Sequence, residues 1–152
     1  MAEIPTKRVV KGLIADDAGD LLIVRRTLDR VWNPGGWDLI GGTVAAGEGL
    51  AEAISREGGE EADHDGNGLK IAWRGLVCVF KDFDEVPRQQ IVDTSVFEGG
   101  VEGTQPKPSL NPVEHTESLW LPLPDLLEVD DLPEQFKHAA LEHQAKLATL
   151  LD

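Results

Sequence analysis

The stretch Gly42 to His64 reads GTVAAGEGLAEAISREGGEEADH, and its charged residues fall at fixed intervals: Glu48 six after Gly42, then Arg56-Glu57 and Glu60-Glu61. From Gly49 to Ala62, Leu50, Ala53 and Ile54 have the i, i+3, i+4 spacing of one helix face. Glu57, Glu60 and Glu61 continue the same stripe, each within roughly 60° of it at 100° per residue. A solvated acidic face is the ordinary reading of a Glu-rich helix, but here the acids are in phase with the apolar residues. Carboxylates crowded on a partly buried face repel and desolvate one another unless a cation neutralises them. The pattern therefore predicts a divalent-cation site of a kind suited to phosphate.

The remaining composition bounds what such a site could serve. At 152 residues the chain suits one domain, 1–152, with a single core. Aspartate and glutamate outnumber lysine and arginine 28 to 14, a field that repels nucleic-acid polymers and anionic membranes. A phosphate-bearing partner is then a small molecule arriving with metal. Cys78, the single cysteine, lies in the apolar run Leu76–Phe80 and reads as a buried structural thiol; with no disulfide to form, a reducing, cytoplasmic setting is expected. No apolar run is long enough for a membrane span, and Met1–Lys7 lacks the apolar core of a signal peptide. The acid excess also fits a high-salt cytoplasm. Oligomeric state is not legible, and a homodimer is left open.

Upstream, Arg8–Ala15 and Leu21–Arg26 read as a β-hairpin around the turn Asp16–Asp20. Thr27–Gly36 carries Asn33-Pro34-Gly35-Gly36 and predicts a long loop beside the site. Trp37–Gly42 predicts one short strand ending in two glycines, which let backbone come close to a ligand. Downstream of a turn at Asp63–Gly68, Leu69–Phe80 and Gln89–Phe97 predict antiparallel strands joined through Asp82–Pro87. Gly99–Pro112 is a loop, Ser118–Leu123 a short strand and Pro124–Val129 a helical turn. From Pro133 on, Phe136, Ala139, Ala140, Leu141, Ala145, Leu147 and Leu150 predict a C-terminal helix. Trp37, Trp73 and Trp120 read as core. His64, His115, His138 and His143 have no metal-ligand spacing and read as scattered surface residues.

Gly42, Glu48, Arg56, Glu57, Glu60 and Glu61 match the box G-x5-E-x7-R-E-U-x-E-E of the Nudix hydrolase family, which the sequence therefore resembles. The resemblance implies an α/β/α sandwich with a mixed, mostly antiparallel sheet, and hydrolysis of a nucleoside diphosphate linked to another moiety. It implies Mg²⁺, with Mn²⁺ as the substitute, held by Glu57, Glu60, Glu61 and the Gly42 carbonyl. Glu57 is also a candidate base, and Glu114 an extra ligand or base. Arg56 and Glu48 are expected to pair and hold the carboxylates in place. The chain departs from the pattern at Ile40, where proline is usual, at Gly58, where an aliphatic residue is usual, and at Asp63-His64, where Gly-aliphatic is usual. Two adjacent helix-interior glycines cost about 1 kcal/mol each relative to alanine, so Gly58-Gly59 predicts a looser helix.

Substrate choice lies outside the box. The proline associated with ADP-ribose subfamilies would fall near Val79-Phe80 and is missing, and there is no tyrosine of the diadenosine polyphosphate kind. The reading that remains is a MutT-like enzyme splitting a nucleoside or deoxynucleoside triphosphate into monophosphate and pyrophosphate. Nucleotide sugars or other diphosphate derivatives are the alternative, and a catalytically weak nucleotide sensor the second. Trp32 is the candidate for stacking on a base. Arg25 or Arg26 is the candidate for phosphate, only one facing inward because strand residues alternate.

Overall fold

The computed structural model describes residues 3–84 and 89–151. In chain order it contains β1 (Thr6–Ala15), β2 (Leu21–Arg26), β3 (Trp37–Asp38), β4 (Ile40–Thr43), α1 (Leu50–Ala62), β5 (Ala72–Asp84), β6 (Gln90–Gly100), β7 (His115–Leu121), α2 (Leu123–Leu127) and α3 (Glu134–Leu151). The expected mixed α/β class holds. The described strands form one sheet in the order β3-β2-β1-β6-β5, with β4 also on β1 and β7 on β2. Among the described strands only β1 and β6 run parallel, in register from Thr6↔Ile91 to Ala15↔Gly100. The predicted antiparallel partners β5 and β6 pair from Ala72↔Gly100 to Asp84↔Gln90. Asp82–Asp84, read as part of the connection, extends β5, and 85–88 lie outside the described residues.

Two local expectations are corrected by partner choice. β1 and β2 meet only at Ala15↔Leu21, so the hairpin is splayed rather than zipped. The edge of β1 that a regular hairpin would occupy is taken instead by β4, with Val10 opposite Gly42 and Lys11 opposite Gly41. The strand predicted over Trp37–Gly42 is split in two for the same reason: Trp37-Asp38 pairs with β2 and Ile40–Thr43 with β1. At the crossing the Asp38 carboxylate accepts the Leu39 N–H at 2.7 Å. The chain thus changes partner without leaving a buried amide unpaired.

The alternation of β1 sends its side chains into two layers. Leu13 packs with Val77, Val96, Leu126, Phe136 and Ala139 beneath α2 and α3. Val10 and Ile14 face the other side, where Val10 packs with Ala53 and Ile54 of α1. Trp37, Trp73 and Trp120 are each partly buried against these cores, as expected. Trp120 also donates its indole N–H to the Pro106 carbonyl at 2.8 Å.

Trp73 explains the glycine at 58. A Cβ on Gly58 would lie 2.9 Å from the Trp73 ring, on Gly12 2.5 Å and on Gly99 2.8 Å, so β1, β6 and α1 each supply a glycine to one indole slot. Gly58 therefore receives its apolar anchor from the sheet instead of providing one. Gly59, exposed, meets nothing within 4 Å. Because glycine carries no hydropathy signal, the inward face of α1 lies roughly 60° from the centre of the stripe that the apolar residues and glutamates mark. Its buried residues are Ala53, Ile54, Gly58, Glu61 and Ala62.

Candidate active site

β4 has no side chain at Gly41 or Gly42, and this gap admits the carboxylates of α1. A Cβ on Gly42 would stand 2.5 Å from the Glu57 carboxyl carbon, and the Gly41 N–H donates to Glu61 Oε1 at 3.3 Å. Beyond the gap opens a cleft of about 540 Å³. Its floor comes from alternate residues of three strands: Lys7, Val9 and Lys11 of β1, Gln90, Val92 and Thr94 of β6, and Phe80, Asp82 and Asp84 of β5. Glu57, Glu61, Glu114, His115, Arg26, Arg30 and Trp32 complete the walls.

The predicted acids divide into two groups. Glu61 is 2% exposed, and burial pushes its carboxyl well above the usual range, with nearby Glu114 and Glu57 adding to the effect against the opposing charge of Lys11. Its Oε1 lies 3.7 Å from Nδ1 of His115, a buried nitrogen without a hydrogen-bond partner among the described residues. Glu61, Glu114 and His115 each offer a ligand atom, all within 4.8 Å of one another. Buried acceptors left unpaired are costly, and a cation among them would relieve both the carboxylate and the imidazole. The donor set thus fits a divalent ion that prefers oxygen and tolerates one imidazole.

Glu48, Arg56 and Glu60 form the second group. Arg56 donates Nε and Nη2 to the two Glu48 oxygens at 2.8 and 2.9 Å, Nη1 to Glu57 at 2.9 Å, and Nη2 to the Thr43 carbonyl at 3.1 Å. The fork holds Glu48 down to about 2, and the same carboxylate accepts the Ala45 N–H. Glu48 and Arg56 therefore pair as expected, tying α1 to the loop that precedes it. Glu60 departs from expectation: its side chain is 56% exposed and meets Arg56 at 3.4 Å on the solvent side. It does not share the inward stripe or line the cleft.

Of the arginine pair, Arg26 is the inward member. It lies over the Trp32 ring at 4.9 Å and donates to the Trp32 carbonyl at 2.6 Å and to Asp38 at 3.1 Å. Arg25 points away, bonded to Glu117 and Gly35. Trp32 is 45% exposed at the rim.

Several site residues escaped the sequence reading. Asp38, 1% exposed, accepts from both Lys11 Nζ at 2.8 Å and Arg26 Nη1, so one buried carboxylate orients two cations at the cleft. A tight cationic pair is tolerated there because each charge has a hydrogen-bonded partner. His115 was read as a surface residue but is 3% exposed, and burial lowers its imidazole to about 4, leaving it neutral at pH 7. His143 is also buried, with Nε2 2.5 Å from Glu98 Oε2, whereas His64 and His138 are exposed as expected. For His115 the available signal was adjacency to Glu114. For Asp38 and Lys11 there was none, since they are 27 residues apart and meet only through sheet pairing.

The NUDIX domain model matches residues 5–142, and the chain belongs to the Nudix family, hydrolases of nucleoside diphosphate-linked compounds acting on pyrophosphate bonds. An uncharacterized Nudix hydrolase of Pseudomonas aeruginosa is 48% identical over 50 residues, a stretch covering 32% of this chain and only 30% of that protein. A MutT protein from Methanosarcina mazei is 28% identical with a TM-score of 0.77, over 96% of this chain and 99% of that one. An Ap4A hydrolase from C. elegans shares the fold at 20% identity and a TM-score of 0.72, over 94% and 98% of the two chains. Among the described residues no helix is long and apolar enough to cross a membrane.

Proposed function

We propose that the chain works as a single Nudix unit in the cytoplasm, hydrolysing a nucleoside or deoxynucleoside triphosphate to the monophosphate and pyrophosphate with Mg²⁺ or Mn²⁺. The observation that carries the reading is the meeting of Glu61, Glu114 and the unpartnered His115 nitrogen at the end of a cleft that also presents Arg26 and Lys11. Glu57, Glu61, Glu114 and His115 are the residues to hold the ion, with the Gly42 backbone beside them. When bound, the ion supplies neutralisation of phosphate charge and a more acidic water.

The chain's own residues do the rest. Arg26 and Lys11, aimed by Asp38, take up the charge of phosphate oxygens. Arg56 keeps Glu57 in place through a hydrogen bond in a fork already committed to Glu48. Trp32, backed by the Arg26 guanidinium, offers a flat apolar face at the rim for the nucleoside. Glu57 and Glu114 are the carboxylates placed to receive a proton from attacking water.

The test is product analysis with Mg²⁺ or Mn²⁺ across nucleoside triphosphates, diphosphates, ADP-ribose and nucleotide sugars. Pyrophosphate release from a triphosphate, lost in Glu57→Gln, is the expected result. Turnover confined to nucleotide sugars or ADP-ribose would move the substrate to another diphosphate derivative, and unchanged turnover in Glu57→Gln would remove Glu57 from the site.

A further inference from the structure

Of the three residues that gather at the metal end of the cleft, Glu61 and Glu114 bring carboxylate oxygens and His115 brings a ring nitrogen. The fold aims that nitrogen. His115 opens β7 opposite Arg26, where the pairing with β2 shifts register: Arg25 faces Glu117, and Arg26 faces His115. The extra residue, Thr116, makes a bulge, and the bulge puts His115 on the inward side with Arg26. The backbone before it is fixed as well. The Glu114 and His115 N–H groups both donate to the Asn111 carbonyl, and the Thr27 N–H donates to the Glu114 carbonyl.

Two observations beyond the acids point to a ligand at this nitrogen. His115 is 3% exposed, and its Nδ1 meets no hydrogen-bond partner among the described residues. Lys11 and Arg26, the cations close enough to act on it, are spent elsewhere: Lys11 Nζ donates to Asp38 and the Leu39 carbonyl, Arg26 to Asp38 and the Trp32 carbonyl. Nδ1 also stands 3.7 Å from Glu61 Oε1, too far for a hydrogen bond. Two atoms each about 2.1 Å from one ion lie about 3 to 4.2 Å apart, so the spacing suits a shared ion. A histidine that served packing alone would have its buried nitrogen bonded.

A nitrogen in this place bears on which ion is preferred. Mg²⁺ is hard, favours oxygen and sheds water reluctantly, whereas imidazole suits first-row ions such as Fe²⁺, Co²⁺ and Zn²⁺. Glu60, the further carboxylate that the box spacing offers, stands on the solvent side, so the nitrogen completes the group instead. Glu61 and His115 are both nearly closed to solvent, which leaves a bound ion fewer waters than Mg²⁺ ordinarily keeps. We infer that His115 Nδ1 is a metal ligand and that it tilts the site from Mg²⁺ towards nitrogen-accepting ions, Co²⁺ and Zn²⁺ ahead of Mn²⁺; this rests on reading the cleft as a metal-dependent site.

Spectroscopy of bound Mn²⁺ tests the ligand without turnover. Electron spin-echo modulation of Mn²⁺ on the full chain should show coupling to an imidazole nitrogen, absent in His115→Asn and His115→Phe. Asparagine puts an amide oxygen within reach of the Nδ1 position, and phenylalanine keeps a ring without a ligand atom. Calorimetry should show the Co²⁺-to-Mg²⁺ affinity ratio falling by about tenfold or more in both variants, while His115→Asn keeps its Mg²⁺ affinity. Thermal melting checks that the variants fold. An all-oxygen Mn²⁺ spectrum in the parent chain overturns the assignment without any variant. Coupling that persists in both folded variants, or an unaltered affinity ratio, overturns it as well. Imidazole coupling in a protein that hydrolyses no triphosphate keeps the ligand assignment and overturns the triphosphate reading; triphosphate turnover with an all-oxygen spectrum does the reverse.

Discussion

Two corners of α1 hold glutamates in opposite electrostatic states. At the corner of Glu48, Arg56 and Glu60, one guanidinium meets three carboxylates, counting Glu57, and Glu48 is driven down to about 2. At the corner of Glu61, Glu114 and His115, the carboxyl is buried and pushed up, and the imidazole nitrogen beside it lacks a partner. The first corner is satisfied by the chain itself and serves as architecture. In the second, Lys11 opposes the burial of Glu61 only from a distance, its ammonium being committed to Asp38, and a protein retains such a deficit where a ligand completes it. The box motif thus contains both a brace and a vacancy in charge, and its spacing does not distinguish them.

The largest expected effect comes from the incomplete corner. Glu61→Gln should reduce turnover by about 100-fold or more while leaving thermal stability level or raised, since it removes a costly buried charge. A fall in stability with activity retained would reverse the roles assigned to the two corners. Arg56→Ala should do the opposite, lowering the melting temperature and reducing activity by about 10-fold through a misplaced Glu57. Equal activity in that variant would mean that Glu57 needs no brace.

The brace also predicts a pH dependence. Glu48 has a folded value of about 2 against an ordinary 4.5, so its contribution is fully present above about 4.5 and is lost as pH falls towards 2. Acid unfolding followed by circular dichroism should therefore show a shallower loss over that window in Glu48→Gln than in the parent chain. Matching acid limbs would show that Arg56 does not stabilise the ionised form.

The smallest effect separates the adjacent glycines. Gly59→Ala should stabilise the fold by up to about 1 kcal/mol, because helix propensity improves and nothing is met within 4 Å. Gly58→Ala should instead destabilise by about 1 kcal/mol or more, since Trp73 is confined by Gly12 and Gly99 and has no room to retreat. Denaturant melts of the two variants compare them directly, and stabilisation by both would show the indole slot to be loose.

Much of the fold was legible in local pattern. The span of α1, the pairing of β5 with β6 and the C-terminal helix each followed from runs of apolar residues at period 3.6 or 2. The pairing of Glu48 with Arg56 was also within reach of spacing, and alternation required that only one of Arg25 and Arg26 face inward, but the choice of Arg26 came from the packed sheet. The failures share a cause. The splayed β1–β2 pair, the split at Leu39 and the rotation of α1 that puts Glu60 in solvent depend on which strand or indole takes a position. Glycine and partner choice leave no trace in a hydropathy pattern.

The sequence by itself determined that carboxylates, an arginine and a glycine stand at Nudix spacing, because that spacing is local to one helix and the turn before it. Tertiary structure decided the rest. Sheet pairing brought Lys11 to Asp38, the entry to β7 delivered Glu114 and His115 to Glu61, and three glycines from separate elements seated Trp73 beneath α1. Those contacts join residues tens of positions apart, and only the packed sheet specifies which of them meet.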